Sequence, residues 1–288
     1  MRFEITHTTD YRYEQPASEA YVEARLTAPE TPAQRILSQS TVFNPAAPLS
    51  AYTDYFGNAT VFYSMVRRHE RLTVTSRLSV ETTPPEMPED ALALTVGEAR
   101  QIFSSVTTDV FDYLRPSGTV PNGGESAKWG RRHLRPDATL REAIEALNSA
   151  IHRDFEYVPG STENWTPLAT IWKARCGVCQ DFAHVMLSVL RTSGLPARYV
   201  CGYIETDPPR GSAHLVGAVA THAWVEVLVP GMRWVALDPT NNQWCGERHV
   251  AVSFGRDFAD ATPLRGTFKG SGGQTMSVKV VMQRTPRP

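Results

Sequence analysis

The chain has 288 residues, 41% hydrophobic and 20% charged, which is typical of a folded protein with room for two packed domains. Its formal net charge of -1 provides no overall field that would attract nucleic acid or an anionic membrane, so we expect neither as a partner. The N-terminal residues are polar and alternating, and no apolar run reaches membrane length, which predicts a cytoplasmic protein.

The first 83 residues show the alternation of apolar and polar side chains that is typical of β-strands. Apolar residues recur at alternate positions between Leu72 and Val80. Gly57-Asn58 stands between two aromatic-rich runs, which favours a hairpin. We therefore predict an antiparallel, sandwich-like β domain over residues 1–83.

A proline-rich segment follows. Residues 84–92 contain three prolines, and because proline fixes φ and lacks an N–H donor, this segment is predicted to be a linker. Residues 93–288 mix helical and strand patterns, so the whole chain is predicted to be an α+β protein. Within them, Thr139 and Glu142 form a capping-box pattern ahead of an apolar stripe. This pattern predicts a helix that packs on the central helix described next.

The stretch from Arg175 to Gly194 is predicted to be a loop that continues into a buried helix. Apolar residues recur at three- and four-residue steps from Val178 to Leu190, and Gly194 is predicted to end the helix. Cys179 then stands in the first turn, where unpaired backbone N–H groups and the positive end of the helix dipole stabilise a thiolate. The pattern therefore makes Cys179 the candidate nucleophile.

Two later strands are predicted to form a hairpin around Pro230-Gly231. Their apolar side chains share one face if Val229 pairs with Arg233 across a three-residue loop. In that register, the opposite face carries His222 and Asp238 within reach of each other. A loop one residue shorter or longer would flip one strand and separate them. The hydrophobic pattern thus selects the register that brings an imidazole and a carboxylate together.

These residues suggest a catalytic triad. A thiol nucleophile needs a base that takes its proton and a partner that orients the base. Cys179, His222 and Asp238 supply these three groups from separate elements, and we predict them to be catalytic. Trp165 and Trp224 are predicted to line the substrate cleft, since one lies in a loop before the helix and the other on the face that carries His222.

Other polar residues have ordinary explanations. We expect His184 to be a packing or surface side chain, and Asp181 to interact with the helix dipole or to cap a neighbouring loop. His214 is a reserve candidate for the base or for a substrate contact. The histidines that we expect to be structural or exposed are His133, His152 and His249.

Cys176 and Cys179 also form a CxxC pattern. A zinc site would need a second pair, but Cys201 and Cys245 stand alone and far apart, so we predict no metal and no cofactor. A thioredoxin-like site would need a preceding strand, whereas residues 168–173 have a helical pattern. A redox protein is therefore a less favoured alternative. We expect Cys176 to be buried or to support the site, and the two isolated cysteines to lie in the core.

Three motifs, in this order, closely resemble the bacterial transglutaminase-like superfamily of papain-fold thiol enzymes. They are Gly177 to Ala183 (GVCQDFA), His222 to Val227 (HAWVEV) and Leu237 to Thr240 (LDPT). The first 83 residues resemble the β-rich domain that accompanies such cores, which makes 93–288 the transglutaminase-like catalytic domain. The resemblance implies the roles of nucleophile for Cys179, general base and acid for His222, and orienting carboxylate for Asp238. It also implies an acyl-thioester intermediate, with the backbone N–H of Cys179 as an oxyanion donor.

The expected function is thiol-dependent acyl transfer or hydrolysis at amide bonds of peptides, or of glutamine or isopeptide side chains. The expected partner is therefore a peptide or protein substrate. An amine acceptor would give cross-linking, and water would give proteolysis or deamidation. We favour water, because no second amine-binding pocket is evident in the sequence. An inactive binding scaffold with the same fold is the other alternative, beside the redox protein.

Overall fold

The computed structural model describes residues 1–206 and 221–286, and its first third is built from strands. The strands of this N-terminal part are β1 (Arg2–Ala17), β2 (Glu19–Ala24), β3 (Gln34–Asn44), β4 (Leu49–Thr53), β5 (Ala59–Met65) and β6 (His69–Thr82). β4 and β5 form the hairpin predicted at Gly57-Asn58, in which Thr53 pairs with Ala59. Gly57 has a φ of 85°, a conformation that glycine adopts at no steric cost.

A helical section follows. Its helices are α1 (Glu89–Leu92), α2 (Val96–Ser105), α3 (Thr107–Leu114), α4 (Glu125–His133) and α5 (Leu140–Asp154). Residues 83–88 form no regular element, and α1 begins inside the segment that the prolines predicted to be a linker. α5 begins at the predicted capping box, where Glu142 N donates to Thr139 Oγ1 and Thr139 N donates to the Glu142 carboxylate. In the described part of the chain, no helix is both long and apolar enough to span a bilayer.

In the rest of the chain, one long helix packs on a five-stranded sheet. Its elements are β7 (Glu156–Tyr157), α6 (Leu168–Ala174), β8 (Cys176–Gly177), α7 (Cys179–Thr192), β9 (Ala197–Ile204), β10 (His222–Val229), β11 (Arg233–Asp238), β12 (Gln243–Trp244), β13 (His249–Gly255), α8 (Phe258–Ala261), β14 (Leu264–Lys269) and β15 (Gln274–Arg284). Five strands form a sheet in the order β12-β11-β10-β9-β13. α7 packs on β9 and β10 and also contacts α5, as the sequence predicted. The α+β class is confirmed.

The hairpin of β10 and β11 has the register that the hydrophobic pattern selected. Val229 pairs with Arg233 across a three-residue loop. Gly231 and Met232 turn the chain there with φ values of 84° and 60°. The side chains predicted to share the apolar face are buried in the core with α7, and they are Val225, Val227, Val229, Val235 and Leu237. Packing of this face against α7 fixes the register, because a one-residue slip would turn these side chains away from the helix.

The last two strands return to the N-terminal part of the chain. β15 pairs with β1 at the edge of a sheet ordered β15-β1-β6-β3, and β14 pairs with β2 at the edge of a sheet ordered β14-β2-β5-β4. Residues 264–284 therefore complete the two N-terminal sheets, a departure from the predicted second domain of 93–288. An alternating pattern predicts a strand, but it does not say which sheet receives that strand.

The N-terminal part also covers the free edge of the five-stranded sheet. Gln34 Nε2 donates to Ala251 O at 3.0 Å, and Ala251 N donates to Gln34 Oε1 at 2.9 Å. Asn58 pairs in the same way with Phe254, through its Nδ2 at 2.7 Å and its Oδ1 at 2.8 Å. Each side-chain amide thus satisfies backbone groups of β13 that a neighbouring strand would otherwise bind.

Candidate active site

Cys179 is the first residue of α7 and is half-buried. Val178 before it is extended, with φ -118° and ψ -177°, so the helix begins at the cysteine. The first N–H groups of a helix lack intrahelical acceptors, and the positive end of the helix dipole lies beside them. The sulfur therefore stands beside unpaired backbone donors at the positive end of the helix dipole.

Asp181 fixes the start of this helix, as the sequence predicted. Its Oδ2 accepts hydrogen bonds from Val178 N at 2.8 Å and from Thr162 Oγ1 at 2.6 Å. Burial raises the pKa of Asp181, and these two hydrogen bonds oppose the rise. A Cβ on Gly177 would lie 2.7 Å from Asp181 Oδ2, so the tight approach of loop and helix requires glycine there.

His222 and Asp238 lie at the same end of the hairpin, and the predicted contact between them is confirmed. His222 Nε2 and Asp238 Oδ2 are 2.7 Å apart, and both side chains are buried. Burial alone would lower the pKa of His222, but hydrogen bonding to Asp238 and to the Cys179 side chain raises it to about 10. Because Nε2 faces Asp238, Nδ1 is the ring nitrogen left for the thiol. The structure thus brings Cys179, His222 and Asp238 together.

The Asp238 carboxylate has several further donors. Its Oδ1 accepts from Thr240 N at 2.9 Å and from Asn241 N at 3.2 Å. Its Oδ2 accepts from Asn241 Nδ2 at 2.6 Å and from His249 Nε2 at 3.3 Å, in addition to His222. Burial would raise the pKa of Asp238, but the hydrogen bonds from the two imidazoles and from Asn241 hold it well below its usual range. Asp238 is therefore ionised although it is buried.

Two of these donors were missed at the sequence level. Asn241 stands in the turn directly after β11, and its proximity to Asp238 along the chain was an available signal. His249 was expected to be structural or exposed. It is buried. Its strand, β13, pairs with β9, which in turn pairs with β10, and this arrangement places His249 near Asp238. The residues near His249 in the sequence do not indicate that its strand pairs with β9.

Trp224 does not line a cleft, and this prediction is wrong. Its side chain is 2% exposed. Its ring packs against those of His222 and His249, at centroid distances of 6.1 Å and 5.3 Å. A Cβ on Gly202 of the neighbouring strand would lie 2.5 Å from the indole, so glycine makes room for the tryptophan. The face that carries His222 is covered by the rest of the protein, which the hairpin pattern alone could not reveal.

Trp165 is 63% exposed and lies 6.4 Å from the ring of Phe258, centroid to centroid. Gln180, next to the thiol, donates to Asn164 O at 2.9 Å and ties the loop that carries Trp165 to the start of α7. Tyr157, which the sequence did not single out, is also exposed and precedes the Cys179 loop on a strand that pairs with β8. Exposed aromatic side chains are thus available near the thiol.

The other candidates lie away from the thiol–imidazole contact or are structural. His184 is buried, and its Nε2 accepts from Phe258 N at 3.2 Å. Burial lowers the pKa of His184 to about 4, so the expected packing role is confirmed. The ring of His133 packs against that of Trp129 at a tilt of 48°, and His152 is exposed. His214 lies outside the described residues.

The four cysteines, all in the described residues, are free thiols. Cys201 and Cys245 are buried in the core, as expected, and burial raises the pKa of Cys201 to about 12. Cys176 is half-buried in β8. Across residues 1–206 and 221–286, no group of three or more His, Cys, Asp or Glu side chains has an arrangement that could hold a metal ion.

Two regions of the chain match known protein families, and relatives occur in bacteria. Residues 127–239 match the transglutaminase-like superfamily, and residues 3–81 match the bacterial transglutaminase-like N-terminal region. An uncharacterized protein of Mycobacterium tuberculosis is 36% identical over 275 residues, which cover 92% of this chain and 87% of the relative. A protein-glutamine gamma-glutamyltransferase of Pseudomonas aeruginosa is 34% identical over 111 residues, which cover 38% of this chain and 16% of that protein.

Among solved structures, a candidate cysteine protease of Cytophaga hutchinsonii superposes with a TM-score of 0.76 at 22% identity. The superposition covers 100% of this chain and 92% of that one, so the two share the fold along their whole length. Together, the two matched regions and this fold confirm the resemblance drawn from the sequence motifs. The chain belongs to the transglutaminase-like superfamily, a family of thiol-based enzymes, and carries the N-terminal region of its bacterial members.

Proposed function

We propose that the protein catalyses thiol-dependent acyl transfer from amides, with Cys179 as nucleophile, His222 as general acid and base, and Asp238 as the carboxylate that orients His222. One observation carries this proposal. The imidazole of His222 hydrogen bonds to a buried carboxylate through Nε2 and interacts with the Cys179 side chain. A nucleophile, a base and an orienting partner in contact are the parts that such a reaction needs.

The reaction would proceed in two halves. The Cys179 sulfur attacks the amide carbonyl carbon, and the oxygen that gains charge is stabilised by the backbone N–H of Cys179. The C–N bond then breaks while the His222 imidazolium gives its proton to the leaving nitrogen, which departs as ammonia or an amine. In the second half, His222 removes a proton from water as the water oxygen attacks the thioester carbonyl carbon. The C–S bond then breaks, His222 returns the proton to the Cys179 sulfur, and the carboxylic acid leaves.

The proposed substrate is a peptide or protein amide, either in the backbone or in a glutamine or isopeptide side chain. The exposed Trp165 and Tyr157 supply flat apolar surfaces that can bind a chain near the thiol. The name of the Pseudomonas aeruginosa relative supports glutamine as the acyl donor. We propose water as the acceptor, because hydrolysis requires no second substrate site. Four free thiols fit a reducing compartment, and we propose the cytoplasm.

A panel of amide substrates, each tested with and without a primary amine, examines the proposal directly. Mass spectrometry would follow the acids, amine adducts and ammonia that are released. We expect acids as the main products, and a loss of about a thousandfold or more in Cys179→Ala. Cys176→Ala is the matched control, because it removes a thiol three residues away, and we expect it to keep most of the activity.

Three outcomes would count against parts of this proposal. Amine adducts in place of acids would reverse the choice of acceptor. A folded Cys176→Ala protein as inactive as Cys179→Ala would favour a dithiol redox mechanism. Equal turnover by the wild type and Cys179→Ala, or none by either, would remove the enzymatic proposal and leave a binding scaffold.

A further inference from the structure

His249 is a second histidine on the Asp238 carboxylate. Its Nε2 lies 3.3 Å from Asp238 Oδ2, the oxygen that His222 also uses. Its Nδ1 accepts a hydrogen bond from Gly246 N at 3.2 Å. Because Nδ1 is an acceptor, the proton of the neutral ring is on Nε2 and points at Asp238. The surrounding backbone therefore selects the tautomer that donates to the carboxylate.

The ring of His249 is held on several sides. Its side chain is buried, and the Trp224 indole meets it edge to face at 5.3 Å, 76° between planes. β13, which begins at His249, is bound on one side to β9 and on the other to the amides of Gln34 and Asn58. The N-terminal part of the chain therefore fixes the strand that presents this imidazole.

Among the described residues, His249 hydrogen bonds to the proposed triad at Asp238. Its ring centroid is 6.4 Å from that of His222, and His222 is the histidine that interacts with Cys179. The described titratable groups around Asp238 are the two histidines and Cys245, whose pKa is raised by burial. With the thiol of Cys245 neutral, the charge balance of the site depends on Asp238, His222 and Cys179.

We propose that His249 is a positioning residue, which holds Asp238 Oδ2 in the orientation that binds His222 and so maintains the Cys179–His222 pair. The inference rests on the proposed function and deepens it. Without the His249 donor, Oδ2 keeps Asn241 Nδ2 and His222 as its partners, so the carboxylate is held less firmly against His222. The imidazolium then loses part of its partner, and His222 is held less firmly in the position from which it takes the thiol proton.

The test measures alkylation of Cys179 by iodoacetamide between pH 5 and 10 with peptide mass spectrometry, which needs no amide substrate. In His249→Phe, which keeps a ring against Trp224 but removes the donor, we expect the rate at pH 6 to fall about tenfold, the equivalent of one hydrogen bond to a charged group. Near pH 10, where an unassisted thiol is ionised, the rates of variant and wild type should converge.

Two variants separate positioning from general damage. His249→Gln retains an N–H donor near the position of Nε2, so we expect its rate at pH 6 to lie within about threefold of wild type. In an Asp238→Ala background, His249→Phe should cause no further loss, because the residue through which it acts is gone. His69→Phe is the matched control, since His69 is equally buried but lies in the N-terminal part.

Folding of every variant is checked by circular dichroism and thermal melting, and His249→Leu replaces His249→Phe if the latter does not fold. An unchanged alkylation profile in a folded variant without the donor overturns the inference. Slowing of equal size at pH 6 and pH 10, failure of His249→Gln to recover, or a full additional loss in the Asp238→Ala background does the same. Failure of the proposed function has a different signature, namely normal alkylation of the wild type without turnover of any amide.

Discussion

The N-terminal sheets and the five-stranded sheet each hold a carboxylate on a strand, but they do so in opposite ways. Asp10 on β1 accepts from Arg71, Arg12 and Thr73, and the two arginine side chains are 57% and 67% exposed. The hydrogen bond from Arg71 is the main reason that the pKa of Asp10 falls to about 2. Asp238 instead accepts from histidines whose side chains are 9% and 5% exposed.

The two carboxylates differ in their hydrogen-bond donors, arginine for Asp10 and histidine for Asp238, and in how deeply the surrounding strands are buried. β1 alternates between buried and more exposed residues, whereas Asp238 stands at the buried end of β11, beside a strand, β10, that is buried along almost its entire length. Arginine keeps its charge at all ordinary pH values, so its pair with Asp10 cannot exchange a proton. Histidine can, and a buried site excludes the water that would screen the exchange. A carboxylate at the buried end of a strand, paired with histidines, can therefore direct proton transfer.

The largest expected effect comes from deleting each acid in turn. We expect Asp238→Ala to lower kcat by about a thousandfold, because His222 loses the partner that orients it and stabilises its charge. Asp10→Ala should leave kcat unchanged, and it removes only partly exposed ion pairs, so its effect on unfolding should be about 1 kcal/mol or less. Steady-state kinetics and urea unfolding of both variants test this contrast. Comparable losses of kcat would show that the two carboxylates do not differ in the way described.

An intermediate effect is expected at the junction between the two regions. Asn58→Ala removes both hydrogen bonds to Phe254 and leaves buried backbone groups of β13 unsatisfied, so the free energy of unfolding should fall by about 2 kcal/mol. Gln101, an exposed amide on α2, provides the control, and its change to alanine should have little effect. Urea unfolding measures both. If Asn58→Ala is as stable as the control variant, the amides do not hold the edge of the sheet.

The smallest effect concerns acid stability. The pKa of Asp10 in the folded protein, about 2, is below the ordinary value of 3.8, so this group stabilises the fold above pH 4 and loses that contribution as pH falls toward 2. Asp10→Asn cannot titrate. The difference in melting temperature between wild type and Asp10→Asn should therefore be largest above pH 4 and shrink toward pH 2. A difference that stays constant over this range would contradict the assigned ion pairs.

Local patterns were sufficient for several features of the candidate site. The start of α7 at Cys179 follows from helical periodicity. The contact of His222 with Asp238 follows from the hairpin register in which the apolar side chains of both strands share one face. The capping box of Thr139 and Glu142 is likewise recognisable from two residues three positions apart. Each of these inferences uses residues that are close along the chain, where geometry is fixed by the period of the element.

Other features could not be predicted in this way. Trp224 shares the alternating face with His222, but whether that face meets solvent or protein depends on β13 and its surroundings. Apolar residues alternate from Met276 to Met282 as in a strand, whereas 264–269 lie in a segment rich in turn residues. Both segments form strands, and their partners β1 and β2 lie more than two hundred residues earlier. An alternating pattern shows which side chains of a strand share a face. It does not show which other strand pairs with that strand.

The amino-acid sequence by itself thus determined the family, the α+β class, the helix that begins at Cys179 and the pairing of His222 with Asp238, because short-range periodicity fixes which side chains share a face. The tertiary structure was needed to show that His249 reaches Asp238 and that Trp224 packs on both imidazoles. It was also needed to show that the C-terminal strands pair with β1 and β2, and that the N-terminal part binds β13. These contacts join residues distant in the chain, and they depend on which surfaces are buried together when the sheets pack.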